Sequence, residues 1–239
     1  MWPQKHTDSP ATSQEGEHLK LLDRLFESRH SCRGFRPDHV PRNVIEDVVR
    51  VAQKTPSWCN AQPWQVVITC GDATERFRQA LLQHIAQNDP SPDILFPREY
   101  RGVYLERRRD CGFQLYESVG IERGDRAASG KQARENFRLF GAPHVAIVST
   151  DEALGTYGAI DCGAFVSNFM LAATSVGIAT IAQASLAGHS RFVHQHFGIP
   201  DDRMIVCGIS FGYENSDHPA NRFRTGRASL DEVLTWHTA

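Results

Sequence analysis

The sequence predicts an α+β fold in which helices surround a mixed β-sheet. Segments with helical periodicity mix irregularly with short apolar runs typical of strands, and no regular β-α-β repeat connects them. The longest helical segment, residues 156–176, is apolar on nearly all sides, which is typical of a helix in a core or a subunit interface. The chain has 239 residues, 41% of them hydrophobic and 23% charged, so it can bury one sizeable core.

Amphipathic helices are predicted where apolar residues recur three or four positions apart. In the second of these helices Pro41 suits the first turn, and Pro56 ends the helical pattern. The predicted helices are residues 19–27, a segment starting at Pro41, a segment from Phe77 to Ile85, and residues 104–119, 156–176 and 190–197.

Strands are predicted at four short runs rich in β-branched and apolar residues. His144 falls in the second run, and we expect its ring to be hydrogen-bonded within the fold and not to bind a metal. The predicted strands are residues 65–69, 143–149, 178–182 and 204–211, of which 143–149 is central and residues 183–185 form a loop that follows the third strand.

The N-terminal 17 residues are polar and contain two prolines, which predicts a mobile tail over residues 1–17 and a single domain over residues 18–239. The chain has no apolar run of about 18 residues and no secretion signal. Its six cysteines are scattered without zinc spacing, so we expect reduced thiols and a cytoplasmic protein. A net charge of −2 gives no general attraction to nucleic acid or to an anionic membrane.

Common catalytic motifs are missing from the chain. Neither a Gly-x-Gly-x-x-Gly turn nor a P-loop is present, and there is no Gly-x-Ser-x-Gly elbow. His194 and His196 lie two positions apart in a predicted helix and do not face each other, so no metal site is expected. A protein with no evident acid, base or nucleophile is compatible with chemistry performed by a cofactor.

A cationic run follows the first predicted helix. Arg29, Ser31 and Arg33 alternate, so in an extended chain their side chains project to the same side. Paired guanidinium donors together with a hydroxyl suit a phosphate monoester. The spacing alone leaves open the alternative of a solvated basic helix end that complements the helix dipole.

A second stretch, taken with the first, resembles a known family. The run Arg-His-Ser-Cys-Arg at residues 29–33 and the pattern Pro-Ser-x-x-Asn-x-Gln-Pro-Trp at residues 56–64 resemble the nitroreductase family, flavoenzymes that hold FMN at a homodimer interface. Further similar segments follow in the family's order at residues 177–185, 198–202, 206–209 and 221–224. One such motif is weak, but several in order are specific. The resemblance covers roughly residues 19–236 and implies a mostly antiparallel sheet and a homodimer with a central helix at residues 156–176.

The resemblance also implies which residues bind the cofactor. For the phosphate and ribityl chain these are Arg29, His30, Ser31 and Arg33, closed by Arg222 and Arg224. The residues that reach the flavin from the other subunit are Pro56, Ser57 and Asn60, with Trp58 beside them. The loop that faces the edge of the flavin ring is Gln183, Ala184 and Ser185, where a backbone N–H is expected near N5. No side chain is expected to be catalytic, because N5 of the flavin is the reactive atom, and no metal is expected.

Family members carry a variable insertion that covers the flavin, and residues 88–140 match its place, so the resemblance implies that this segment is a lid that selects the substrate. Two residue patterns differ from the family. Ile181 and Ala182 stand where relatives tend to have Cys-Pro, and the bulky Trp58 stands where relatives often have Gly. Trp58 either narrows the substrate cavity or is a surface residue of the interface.

The sequence therefore predicts an FMN-dependent oxidoreductase that passes two electrons from NAD(P)H to a small aromatic acceptor, such as a nitroaromatic or a quinone, by ping-pong hydride transfer. A flavin reductase or dehalogenase of the same family is an alternative, and so is a protein that binds FMN without turnover. A nucleic-acid binder that uses the two arginine clusters is disfavoured by the acidic remainder of the chain.

Overall fold

The computed structural model describes residues 13–238, and the side chains of residues 16–238. Nine α-helices lie in this part of the chain, two of them single turns. In chain order they are α1 Ser13–Ser28, α2 Arg42–Ala52, α3 Asp72–Ile85, α4 Gly102–Ser118, α5 Arg126–Arg134, α6 Gly155–Ser175, α7 Ala184–Ala187, α8 Ser190–Phe197 and α9 Leu230–Val233.

Four strands form one antiparallel sheet in the order β1-β2-β4-β3. Their bounds are β1 Gln65–Ile68, β2 His144–Asp151, β3 Ala179–Gln183 and β4 Arg203–Gly212. The central pair is β2 and β4, and a parallel bridge joins Ser31 to Thr180 on the outer strand β3. This bridge places the segment that follows α1 along the edge of the sheet.

Each face of the sheet carries its own apolar core, because successive strand residues point to opposite sides. On one face, α6 packs Phe165 and Phe169 against Ala146 of β2. On the other face, Phe77 of α3 lies in a cluster with Ile147 of β2. The sheet is thus covered on both sides by helices.

The α+β fold with a mostly antiparallel sheet is confirmed, and the central position of the strand predicted at residues 143–149 is correct. His144 behaves as expected: its Nδ1 lies 3.1 Å from the carbonyl oxygen of Thr69, and its Nε2 accepts a hydrogen bond of 3.0 Å from the backbone N–H of Val40. Burial lowers the pKa of His144, which keeps the ring neutral in the role of donor and acceptor. The ring therefore links β2 to the end of β1 and to the segment before α2.

Several element boundaries differ from the prediction. Helix α1 begins at Ser13 and not at residue 19, because its first turns are polar and carry no periodic apolar signal. Residues 13–17 of the predicted tail are therefore helical, and residues 1–12 lie outside the described part of the chain. Helix α5 was not predicted, since it is short and has no buried residue. The predicted buried strand at residues 65–69 is an edge strand and is only partly covered.

Within residues 13–238, no helix combines the length and the hydropathy needed to cross a lipid bilayer.

Candidate functional site

A cleft of about 590 Å³ lies beside the end of α1, where the first predicted motif meets the C-terminal arginine cluster. The first motif contributes Arg29, Ser31 and Arg33 to its wall. Arg224 and Arg227 line the opposite side. Two segments almost 200 positions apart in the chain thus present guanidinium groups to one space. The remaining lining residues are Phe26, Glu27, His30, Cys111, Phe223 and Thr225.

Asn221 fastens these two segments together. Its side-chain oxygen accepts a hydrogen bond of 2.6 Å from the backbone N–H of Arg33, and its amide donates to the carbonyl of Gly34 at 2.9 Å. A Cβ added at Gly34 would overlap the imidazole of His218, so this glycine permits the close approach of the two segments. These hydrogen bonds join the two backbone segments that carry the arginines of the cleft.

The cleft is strongly cationic. Among the described residues, no carboxylate lies within ion-pair distance of Arg29, Arg33, Arg224 or Arg227. Burial lowers the pKa of Arg29, and the nearby charge of Arg227 lowers it further. Burial also lowers the pKa of Arg33, whose guanidinium lies over the ring of Phe223 at 5.6 Å. Glu27 also lines the cleft but forms no ion pair with these arginines, and guanidinium groups without a paired carboxylate favour a bound anion.

Two of the predicted clamp residues are engaged elsewhere. The Arg222 side chain donates toward the carbonyl of Asp217, and Arg222 does not line the cleft. His30 borders the cleft, but its Nε2 lies 3.1 Å from a carboxylate oxygen of Glu214. Arg227, which was not singled out from the sequence, lines the cleft, whereas Arg222 does not. Arg227 belongs to the arginine cluster at residues 221–227, but spacing alone does not show which arginine side chains point into the cleft.

The loop at residues 56–60 lies outside this cleft in the same subunit. Trp58 donates its backbone N–H to the buried carboxylate of Asp161 on α6 at 3.0 Å, and its ring lies 5.0 Å from that of Tyr157. Cys59 and Asn60 have positive φ angles of 49° and 56°, a backbone conformation that non-glycine residues rarely adopt. Among the described residues that line the cleft, none comes from this loop.

Helix α6 separates the two halves of the predicted site. Asp161, which holds the loop at residues 56–60, lies near the N-terminal end of the helix. Thr174 lies at its other end and borders a small cavity together with Arg29. The two positions are thirteen helical steps apart, which corresponds to about 20 Å. One subunit therefore does not bring the predicted halves together.

Residues 183–185 are placed at the end of β3 and differ in conformation from the predicted loop. Gln183 is the last residue of β3, and Ala184 and Ser185 begin the single turn α7. Gln183 is only 2% exposed and its side-chain amide donates to the backbone carbonyl of Asn136 at 2.8 Å. Ser185 donates to the side-chain oxygen of the same asparagine at 3.2 Å. The Gln183 side chain is thus used within the fold, and the exposed Ala184 and the half-buried Ser185 are the accessible members of this trio.

The segment at residues 88–140 runs from α3 to β2 and contains α4 and α5. Cys111 of α4 lines the cationic cleft, so this segment forms part of its wall. Arg107 lies 3.1 Å from Glu232 of α9, and both side chains are about half exposed. At the start of the segment, Asp93 accepts hydrogen bonds from the backbone N–H of Ile205 and forms an ion pair with His194. The position beside the cleft is compatible with the predicted lid, whose substrate-selecting role stays a prediction.

Comparison with known proteins finds similarity to nitroreductases. The model of the nitroreductase family matches residues 26–213. The nitroreductase NfnB of Mycolicibacterium smegmatis is 36% identical over 90% of this chain and 92% of its own length. A 4-nitrobenzoate reductase of Pseudomonas putida is 34% identical over 86% of this chain and 91% of its own length.

Solved structures give the same result. The crystal structure of the FMN-dependent NfnB of Mycobacterium smegmatis in complex with NADPH superposes with a TM-score of 0.88 and 34% identity, over 92% of this chain and 100% of that one. The FMN- and NADPH-dependent NfnB of Sphigopyxis sp. strain HMH gives a TM-score of 0.87 at 28% identity, over 91% of this chain and 99% of that one. The match of the family model, the extent of sequence identity and the shared architecture lead to one conclusion: the chain belongs to the nitroreductase family.

Proposed function

We propose that the protein is an FMN-dependent oxidoreductase that passes two electrons from NAD(P)H to a nitroaromatic or quinone acceptor. The observation that carries the proposal is the cleft in which Arg29, Arg33, Arg224 and Arg227 converge without a carboxylate partner among the described residues. Membership of the nitroreductase family supports the same chemistry, because similar proteins are named as FMN- and NADPH-dependent nitroreductases and as 4-nitrobenzoate reductases.

The residues present fit FMN. Its phosphate would lie between Arg29, Arg33 and Arg224, which offer charged donors to a dianion. Strand β3 connects this end of the site to residues 183–185, because Ser31 pairs with Thr180 and Gln183 follows three positions later. Three strand residues span about 10 Å. A phosphorylated five-carbon ribityl chain can bridge such a separation, so the ring would lie near Ala184 and Ser185.

In this proposal the chain's own residues position the cofactor and exclude water, and no side chain reacts. When bound, FMN would supply the redox chemistry, accepting a hydride from NAD(P)H and giving two electrons to the acceptor. The arginines fix the phosphate end, and residues 183–185 hold the opposite edge. We propose that residues 88–140 cover the substrate cavity and limit its access to water. A cytoplasmic location is part of the proposal, supported by six cysteines that are all free thiols.

The proposed active form is a homodimer with two shared flavin sites. Large apolar side chains are exposed at the N-terminal end of α6 and beside it: Trp58 is 62% exposed, Tyr157 58% and Ile160 57%. Such a patch is unusual for a monomer and is typical of an interface. If two copies pair with their α6 helices antiparallel, the loop of one copy at residues 56–60 reaches the clamp end of the other. This arrangement supports the assignment of Pro56, Ser57 and Asn60 to the partner's cofactor.

The test begins with the cofactor of the purified protein. We expect a yellow protein that releases FMN, and not FAD, on denaturation, because the cleft suits a phosphate monoester. Under anaerobic conditions NADPH should bleach the flavin absorbance, and 4-nitrobenzoate or a quinone should restore it. A protein that FMN cannot reconstitute would exclude the proposal. A flavin that NADPH and NADH leave oxidised would instead identify a protein that binds FMN without turnover.

A further inference from the structure

A chain of hydrogen bonds runs beneath residues 183–185. Gln183 is almost completely buried, and its side-chain oxygen accepts a hydrogen bond from the hydroxyl of Ser210 on β4. Its amide nitrogen donates to the backbone carbonyl of Asn136 at 2.8 Å and lies 3.4 Å from the side-chain oxygen of the same residue. Both ends of the Gln183 amide are therefore occupied, which fixes the end of β3 against the segment at residues 88–140.

Asn136 extends this chain to the next residue that faces the proposed flavin. Its side-chain nitrogen donates to the carbonyl of Ala133 at 3.1 Å, so its side-chain oxygen is directed toward the sheet. That oxygen accepts a hydrogen bond of 3.2 Å from the hydroxyl of Ser185. The side-chain oxygen of Asn136 thus contacts residues on both sides of the junction between β3 and α7.

The position of Asn136 is itself well fixed. The chain turns directly after it through Leu139 and Phe140, which are buried and have positive φ angles of 56° and 51°. The backbone N–H of Phe140 returns to the carbonyl of Glu135 at 3.0 Å. Such a conformation persists only where the surrounding packing imposes it. Asn136 is thus presented from a rigid turn and not from a mobile loop.

We infer that Asn136 is a positioning residue, which holds the backbone of residues 183–185 in the orientation that the cofactor edge requires. The inference rests on the proposed function and adds to it a residue in the predicted lid that acts through Gln183 and Ser185. It also means that the C-terminal end of the segment at residues 88–140 and the strand end at Gln183 form one hydrogen-bonded unit.

The first test measures hydrogen exchange in the full-length protein as purified. Asn136→Ala should raise exchange about tenfold at the amides of residues 184–187, because the hydrogen bond from Ser185 and the 3.4 Å contact with Gln183 are lost, while the bond from Gln183 to the backbone carbonyl of residue 136 is kept. Residues 205–211 of β4 should be unaffected. Asn88→Ala is the matched control, since the Asn88 side chain also donates to a helix carbonyl, that of His84, and its hydrogen bond does not involve Gln183 or Ser185. Unchanged exchange at residues 184–187 in Asn136→Ala overturns the inference.

The second test separates positioning from a general structural role. Asn136→Ala should slow flavin reduction by NADPH about tenfold while FMN affinity changes less than about threefold, because the phosphate clamp is untouched. A merely structural residue would instead lower FMN affinity and the melting temperature together. Ser185→Ala should slow flavin reduction less than Asn136→Ala does. The double variant Asn136→Ala/Ser185→Ala should reduce the flavin at the rate of Asn136→Ala, within about twofold. Additive losses, or an unchanged reduction rate in Asn136→Ala, refute the inference.

The two tests also separate this inference from the proposed function. If the protein does not bind FMN, the proposed function fails, and the exchange measurement still decides whether Asn136 restrains residues 184–187. If Asn136→Ala does not fold, Ser185→Ala decides alone: exchange at residues 184–187 should rise about threefold, and no rise overturns the inference. A rapid, FMN-dependent turnover in a variant that lacks Asn136 would leave the proposed function intact and reject the inference.

Discussion

Replacing Arg29 by alanine should have opposite effects on FMN affinity and on the stability of the protein without FMN. Arg29 lines the cationic cleft and has no carboxylate partner among the described residues, so its donors are available to a phosphate. Loss of one charge-assisted contact to a dianion in a partly buried site weakens binding by about 2–4 kcal/mol. Because Arg33 and Arg224 remain, we expect the lower part of this range, or an FMN affinity reduced about 30- to 150-fold.

The protein without FMN should respond in the other direction. Arg227 acts on Arg29 as a like charge, and this repulsion disappears in Arg29→Ala. Surface charge interactions contribute from a few tenths to about 1 kcal/mol. For a chain of this length, that corresponds to a melting temperature unchanged or raised by about 1–3 °C. A residue that merely supported the fold would lower it.

FMN affinity is measured by the quenching of flavin fluorescence on titration of the FMN-free protein, and stability by thermal melting of the same preparation. Arg42→Ala is the matched control, because the side chain of Arg42 is 92% exposed and pairs with Glu46 on the surface of α2. Equal loss of FMN affinity in Arg29→Ala and Arg42→Ala would show a general electrostatic effect and no specific clamp. A lower melting temperature of the FMN-free Arg29→Ala protein would contradict the repulsion argument.

Four further results are expected. Ile160→Glu places a charge in the exposed apolar patch on α6, so sedimentation should show a monomer that has lost FMN; a monomer that keeps FMN tightly would contradict the shared sites. Initial rates at several acceptor concentrations should give parallel reciprocal plots, because NAD(P)H and the acceptor use one cavity in turn, and intersecting plots would indicate two separate sites. Trp58→Gly should change the KM of the acceptor more than FMN affinity, and the reverse result would place Trp58 in the FMN site alone. Burial lowers the pKa of His144, so the neutral ring stabilises the fold above pH about 6.5. As the pH falls below 6.5 toward the folded-state pKa, this contribution to the free energy of unfolding is lost by at most about 1.4 kcal/mol per pH unit. Urea unfolding between pH 7.5 and 5.5 should therefore show a smaller pH dependence in His144→Gln than in the unchanged protein, and equal dependence would refute the assignment.

The strongly apolar elements of the fold were predictable because their apolar residues lie in the core. Strand β2 is buried over nearly its whole length and α6 buries Phe165, Val166 and Phe169, and their predicted ranges agree with the observed ones to within one or two residues. Helix α5 and the first turns of α1 have few or no apolar anchors, so their helical structure depends on local propensity, which leaves no periodic signal. The predicted helix boundaries were wrong where the sequence is polar.

For the candidate site, the sequence indicated which residue types are present but not which way their side chains point. Arg29, Ser31 and Arg33 do line one wall, as their alternation indicated. The choice between Arg222 and Arg227 depends on how the chain turns after the short helical turn Pro219–Asn221, which no spacing rule predicts. Asn136 carries no motif at all, because its importance comes from contacts with residues nearly 50 positions away.

The close approach of Gly34 to His218 has a consequence for how this site can evolve. A side chain at position 34 would require glycine at position 218 or a shift of the backbone there, because an added Cβ would overlap both the imidazole and the Cβ of His218. His218 also caps the turn that leads to Asn221, so the change would shift the segment that presents Arg224. Substitutions at positions 34 and 218 should therefore be inherited in pairs among close relatives, and a single substitution at either position should be a rare intermediate.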